Sequence, residues 1–166
     1  VLFNGADAHW RDCALYSDAE ALASLTRTVI TPLAAALRDY NSLAMWEVIN
    51  EPEGMLDKSL LAGTPVEAAA TVCPGEHDGP GWSEECQLSL HVLRRFVNRV
   101  AAALRAVDER HLITLGAWHY CTSSDGPNGA TNLYSSGSLR EAGGMPRGTI
   151  DVFQVHSYPK ERGGEA

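Results

Sequence analysis

The sequence is short of several features, and each shortage removes a class of function. No apolar run approaches the roughly 18 residues that a membrane-spanning helix needs. Basic residues are outnumbered, 13 Lys and Arg against 21 Asp and Glu in 166 residues, for a formal net charge of −8. Nucleic-acid sites show a basic stripe, and none is visible, so no nucleic-acid partner is expected. No glycine-rich GxGxxG follows a strand and no Walker sequence is present, which argues against a nucleotide-binding fold. HxH, HExxH and CxxC are absent, so His77, His91 and His111 suggest no metal site. Ser123 and Ser124 lack nucleophile-elbow glycines, and Cys121 has no thiol-protease context around it. Asp125 and Asn128 read as turn residues rather than as a calcium loop. The start, Val1 to Gly5, has neither an initiator Met nor the basic and apolar regions of a signal peptide, and reads as the interior of a longer gene product.

Cysteines are few. Cys13, Cys73, Cys86 and Cys121 allow three pairings. Disulfides are the favoured reading, and Cys73 with Cys86 the favoured pair, because the two bracket a Gly/Pro-rich stretch. Disulfides imply an oxidising compartment.

What is present is an ordinary globular composition, 45% hydrophobic and 20% charged, with enough length for one sizeable core. A short apolar run ends at Asn4-Gly5. Leu22, Leu25, Val29, Leu33 and Leu37 recur at helical spacing between Asp18 and Asp39, with Pro32 predicting a kink or two abutting helices. Leu43 to Ile49 reads as a buried parallel strand. Residues 53–83 are rich in Gly and Pro and read as a long excursion, with one helical turn near Pro65 to Thr71. Ser83 to Asp108 is the clearest helix, with Leu88, Val92, Phe96, Val100, Leu104 and Val107 on one stripe and Ser83 as its cap. His111 to Ala117 is a further buried strand and Ile150 to Val155 a fourth strand, separated by a second long loop over 119–149. There are no internal repeats and no linker, so residues 1–166 form one domain. The alternation of strands and helices gives an α/β fold with a parallel sheet, doubly wound or barrel.

In either architecture the active site gathers at the carboxyl ends of the strands. The polar and aromatic residues expected there are His9 and Trp10, Asn50 and Glu51, Trp118 with His119 and Tyr120, and His156 with Tyr158. Amide, carboxylate, imidazole, phenol and indole groups on one rim suit a sugar-binding cleft, where aromatic faces stack on pyranose rings. Pro52 has no N–H to extend the ladder, so the strand should stop there and leave Glu51 at its mouth. Regular alternation would put Glu47, Ile49 and Glu51 on one side and Trp46, Val48 and Asn50 on the other.

The string Trp46-Glu47-Val48-Ile49-Asn50-Glu51-Pro52 at a strand end, with His156-Ser157-Tyr158 ending another strand about 105 residues later, resembles glycoside hydrolase family 5 and its clan of retaining (β/α)8 barrel enzymes. With Glu53-Gly54 it is most similar to the endo-β-1,4-mannanase branch, animal type. The resemblance implies a TIM barrel of which this chain holds about half, strands three to six. It implies Glu51 as general acid/base, Asn50 as the partner of the sugar 2-hydroxyl, and His156 and Tyr158 near the reacting centre, with Tyr158 orienting the nucleophile. Trp118 and Trp10 are candidate stacking platforms and His9 a cleft-lining residue. The nucleophile would be a Glu ending the seventh strand, so neither Glu161 nor Glu165 is assigned. Glu47 would point into the barrel in a structural role. The resemblance further implies a secreted, monomeric enzyme acting on a polysaccharide, mannan or a related β-glycan, with no cofactor. The alternatives are a β-1,4-glucanase of the same family and a non-catalytic carbohydrate-binding relative.

Overall fold

The computed structural model describes residues 2–5, 13–64, 81–125 and 131–156. Four strands, β1 (Phe3–Asn4), β2 (Met45–Asn50), β3 (Leu112–Ala117) and β4 (Val152–Val155), form one sheet. All neighbours run parallel and lie in sequence order, β1-β2-β3-β4. A doubly wound sheet reverses its strand order at a switch point. An unreversed order carries the sheet round in one direction, as in a barrel, and the architecture is that of part of a (β/α)8 barrel.

The helices cover the outer face. After α1 (Cys13–Ser17), Asp18 caps α2 (Ala19–Leu25) by accepting the Ala21 N–H at 2.7 Å. Pro32 causes no break. A π-helical turn, Thr26–Ile30, leads directly into α3 (Thr31–Leu37), so the path stays helical from Ala19 to Leu37. The widened turn lies just before Pro32, whose ring would otherwise press on the carbonyl one turn back and whose missing N–H would break the ladder.

Helix α4 (Leu90–Val107) starts later than its amphipathic stripe suggests. Ser89, not Ser83, is the cap, its Oγ accepting the Val92 N–H at 3.3 Å. Residues 81–88 are not helical, because they hydrogen-bond to the other end of the excursion. Gly81 N–H donates to Glu53 O, Ser83 N–H to Gly54 O and Leu88 N–H to Met55 O, at 2.9, 2.8 and 2.7 Å. The excursion therefore has a hydrogen-bonded stem with two 3-10 turns, Pro52–Met55 and Lys58–Leu60. Pro65 to Thr71 lies outside the described residues.

The second loop also holds more structure than its Gly and Ser content suggests. It contains a short turn, α5 (Tyr120–Ser123), and a helix, α6 (Ser136–Gly143), packed on α4. Ser135 caps α6 and Gly144 ends it with φ 74°, while its Leu139 is fully buried.

The core joins β1, α1 and α4 through aromatic edges. Phe96 meets Phe3 and Tyr16 with ring centroids 5.2 and 4.8 Å apart. Cys13 is bonded to Cys86, which corrects the expected Cys73–Cys86 pair. The segment before α4 carries Cys86 into the core, fully buried beside α1, where Cys13 opens the helix. Cys121 is disulfide-bonded too. Cys73 lies outside the described residues.

At the amino end of the sheet, Asp108 gathers four donors. Its carboxylate accepts from Trp46 Nε1 at 2.8 Å and from the backbone N–H groups of Arg110 and His111 at 3.0 Å, and it lies 2.7 Å from His111 Nδ1. Burial opposes the charge, but these bonds outweigh it and hold the Asp108 carboxyl down to about 2. The Trp of the recognised string is therefore tied to the base of the sheet, away from Glu51.

Candidate active site

The regular strand ends at Asn50, and Glu51 takes a left-handed backbone conformation, φ 43° and ψ 55°, before Pro52 opens the 3-10 turn. That region is unfavourable for a side chain larger than glycine's, and the residue before a proline prefers extended geometry. Two bonds hold it there: Glu51 N–H to Gly116 O at 2.7 Å and Gly54 N–H to Glu51 O at 3.1 Å. The twist stops the ladder and carries the Glu51 carboxylate across the sheet end toward β4.

There it meets His156. His156 Nδ1 lies 2.6 Å from Glu51 Oε1, and the His156 backbone is fixed by its N–H to Ala117 O at 2.9 Å. Glu51 is buried, and the His156 side chain is 27% exposed, so the pair lies at a surface rather than in the core. Residues 105 positions apart are thus joined by the last turns of two strands.

The two faces of β2 are not what regular alternation predicts. Glu47 pairs with Thr114 but Asn50 pairs with Gly116, three steps on β2 against two on β3. This bulge returns Asn50 to the side of Glu47. Burial follows the same break, since Val48 and Ile49 are both fully buried. A Cβ on Gly116 would lie 3.0 Å from Glu47 Oε1, 3.1 Å from His156 Nε2 and 3.2 Å from Asn50 Oδ1. Gly116 therefore marks the point where three polar side chains converge. Asn50 Nδ2 donates to Asn4 Oδ1 at 3.0 Å, which fixes the amide from β1.

An aromatic row borders this cluster. Trp118 stands between Trp82, with centroids 5.7 Å apart, and His119, also at 5.7 Å; His119 in turn lies 4.4 Å from Tyr120. Trp118 is only 3% exposed. Its indole lies inside the row, tilted against both neighbours, while Trp82, half-buried, and Tyr120, 53% exposed, carry more accessible ring area. Trp82 lies over Gly54, where a Cβ would come within 2.8 Å of the indole. Burial pushes the His119 imidazole down, so it is neutral near pH 7.

Behind the row sits a residue that the sequence marks only through the pair Glu53-Gly54, with no role of its own. Glu53 is fully buried. Its Oε2 accepts the Trp118 N–H at 3.1 Å and its Oε1 accepts the Tyr134 hydroxyl at 3.0 Å. Burial raises the affinity of this carboxyl for a proton, while its own backbone N–H and bonds from Trp118, Thr122 and Tyr134 oppose the rise. The Tyr134 phenol is pushed well up by burial and by the neighbouring Glu53.

Of the expected site residues, Glu51, Asn50 and His156 come together, and Trp118 lies beside them but buried. His9, Trp10 and Tyr158 lie outside the described residues. Among the described residues, no group of three or more His, Cys, Asp or Glu is arranged to hold a metal ion.

A half-barrel whose strand ends carry a Glu–His pair, an amide and an aromatic border has the layout of a carbohydrate-processing enzyme. The family model described as Cellulase (glycosyl hydrolase family 5) matches residues 7–165. The chain belongs to glycosyl hydrolase family 5. It is 35% identical over 165 residues to a mannan endo-1,4-beta-mannosidase of Mytilus edulis, covering 95% of this chain and 42% of that protein. It is 33% identical over 163 residues to a protein of the same name from Cryptopygus antarcticus, covering 95% of this chain and 40% of that protein. The X-ray structure of beta-mannanase from blue mussel Mytilus edulis superimposes with a TM-score of 0.81 at 31% identity, covering 96% of this chain and 46% of that one. The chain thus spans less than half the length of the relatives it matches.

Proposed function

We propose that residues 1–166 supply the acid/base side of a retaining endo-β-1,4-mannosidase, within one partial barrel domain. The observation that carries this reading is the 2.6 Å contact between Glu51 Oε1 and His156 Nδ1 at the carboxyl ends of β2 and β4. Glu51 protonates the leaving glycosidic oxygen and later takes a proton from the attacking water. His156 holds the carboxylate in place for both steps. Asn50, fixed by Asn4, meets the 2-hydroxyl of the sugar whose bond breaks, where contacts strengthen in the transition state. Retention requires a second carboxylate roughly 5–5.5 Å away as nucleophile. No residue of this chain is assigned that role, and Glu47 belongs to the structural cluster around Gly116. Tyr158 orients the nucleophile, and Trp10 and His9 line the cleft.

Mannan as substrate rests on the names of the two relatives, and no cofactor is required. The substrate is a neutral polymer, in keeping with the absence of a basic surface stripe. The enzyme acts as a monomer outside the cell, a setting in which the Cys13–Cys86 disulfide persists. No helix among the described residues is long and apolar enough to cross a membrane. The family description, Cellulase, favours β-1,4-glucan as the second reading.

The test is hydrolysis of mannan and of carboxymethylcellulose by the full-length gene product. Activity on mannan is expected, and activity on the glucan alone overturns the substrate. Glu51→Gln should abolish mannan hydrolysis while sparing the glycosylation step of an activated aryl mannoside, which needs no proton for its leaving group. Near wild-type hydrolysis of mannan by this variant refutes the role of Glu51, and a wild type that binds mannan but hydrolyses neither polymer is the non-catalytic relative.

A further inference from the structure

We propose that Glu53 is a positioning residue that fixes the aromatic border of the cleft by clamping the segment after β3 to the turn after β2. This rests on the reading of the site as a glycosidase cleft.

A carboxylate with no solvent contact is costly unless its oxygens are satisfied. Here both oxygens accept hydrogen bonds, and the donors come from separate parts of the chain: the Trp118 N–H directly after β3 and the Tyr134 hydroxyl before α6. The backbone of the clamp is itself tied down, since Gly81 N–H donates to Glu53 O at 2.9 Å. That bond also places Trp82, the next residue, over Gly54 and against Trp118. The Glu53 side chain thus joins the segments of Trp118 and Tyr134 to its own, and Trp118, His119 and Tyr120 follow on the first of these, while its backbone carbonyl holds the segment of Trp82. Further bonds lock the segment that follows. Thr122 Oγ1 donates to His119 O at 2.8 Å, and Thr131 N–H donates to Cys121 O at 2.9 Å. The exposed end of the row, Tyr120, stacks on His119 at 4.4 Å and so takes its position from the clamp. Glu53 touches no substrate. It acts through Trp118 and its neighbours, two residues along the chain from Glu51.

The chemistry of the pair makes the test specific. Both oxygens face donors, so glutamine, with one acceptor and one donor group, cannot reproduce the arrangement. In the full-length gene product, Glu53→Gln should raise KM for mannan roughly tenfold, as expected for hydrogen bonds to a charged group. Its kcat on a short activated aryl mannoside, which does not reach the border, should stay within about twofold. Tyr120→Ala should also raise KM for mannan, and Glu53→Gln with Tyr120→Ala should be no worse than Glu53→Gln alone, because both act through one surface. An unchanged KM in Glu53→Gln, or multiplying effects in the double variant, overturns the proposal. Should Glu53→Gln not fold, Tyr134→Phe removes a single donor and is expected to raise KM about threefold, and an unchanged KM overturns the proposal equally. If the wild type hydrolyses no mannan, the functional reading falls by itself. Glu53 is then judged by amide exchange at Trp118, which must quicken in Glu53→Gln or Tyr134→Phe if the clamp is real.

Discussion

Replacing Gly116 with alanine is the sharpest probe of the proposed acid/base cluster. The added methyl would sit 3.0 Å from Glu47 Oε1, 3.1 Å from His156 Nε2 and 3.2 Å from Asn50 Oδ1. These separations fall roughly 0.2–0.4 Å short of comfortable van der Waals contact. Gly116 has no positive φ, so the backbone accepts alanine and the whole cost is steric. Overpacking a tight interior typically costs 1–3 kcal/mol. The low end, about 1 kcal/mol, is expected because all three neighbours are side-chain ends that can move. The movement is what matters for activity. A push on His156 Nε2 turns the ring and carries Nδ1 away from Glu51 Oε1, which it meets at 2.6 Å. Small displacements of a reacting group cost up to about 100-fold in rate, and a lost bond to a charged group costs about 1.5–3 kcal/mol. Gly116→Ala in the full-length gene product should therefore unfold only slightly earlier in urea, by about 1 kcal/mol, while kcat on mannan falls about 10- to 100-fold. KM should move less than about threefold, since the border residues are untouched. Wild-type kcat with unchanged stability would show that the three side chains do not depend on the space at Gly116. A loss of several kcal/mol with normal kcat in the folded fraction would place the residue in the scaffold alone.

Two other perturbations test the scaffold. Asp108 is held at about 2 in the folded chain, below its ordinary value of about 3.9, so it adds about 2 kcal/mol of stability above pH 4 that is lost as the pH falls toward 2. Asp108→Asn should cost about that much by urea unfolding at pH 7, the gap closing between pH 4 and 2; a gap independent of pH refutes the assignment. The Cys13–Cys86 bond closes a sequence separation of 73. Replacing both cysteines with alanine should lower stability by about 2–4 kcal/mol, with kcat little changed, because the bond lies between α1 and the segment before α4 rather than at the strand ends.

The parts of the molecule legible in the sequence are those set by periodicity and by chain punctuation. β2, β3 and β4 announce themselves as short apolar runs, α4 as an amphipathic stripe, and the end of β2 as a proline. These sufficed to bring Asn50, Glu51 and His156 to one rim. What was not legible depends on distant partners. Ser83 looks as good a helix cap as Ser89 until the pairing of 81–88 with 53–57 is known. Cys86 has three possible partners until the segment before α4 delivers it to α1. The helix after Ser135 was hidden by glycine and serine content, although a serine cap, a buried Leu139 and Gly144 at its end were signals in plain view. The burial of Trp118 was not legible either, because it involves Trp82, which is distant in sequence.

Three irregularities of the sheet carry information, because they fall at one place. The bulge in β2 lies between Glu47 and Asn50, the left-handed residue is Glu51, and the glycine on β3 that faces three polar atoms is Gly116. Each departs from what its local sequence would do alone, and each costs something: a lost ladder bond, an unfavourable backbone region, a missing side chain in a strand. A scaffold selected for stability alone would have no reason to collect the three within four positions of one strand and its neighbour. Together they have a single geometric result. The bulge turns Asn50 inward beside Glu47, the left-handed turn swings Glu51 across to β4, and the absent Cβ leaves room for His156 to receive it. Had the irregularities been scattered, each would need its own local account. Their coincidence is the physical argument that this strand end was shaped for chemistry, independent of any resemblance, and it is why Gly116 rather than Glu51 is the more discriminating place to cut.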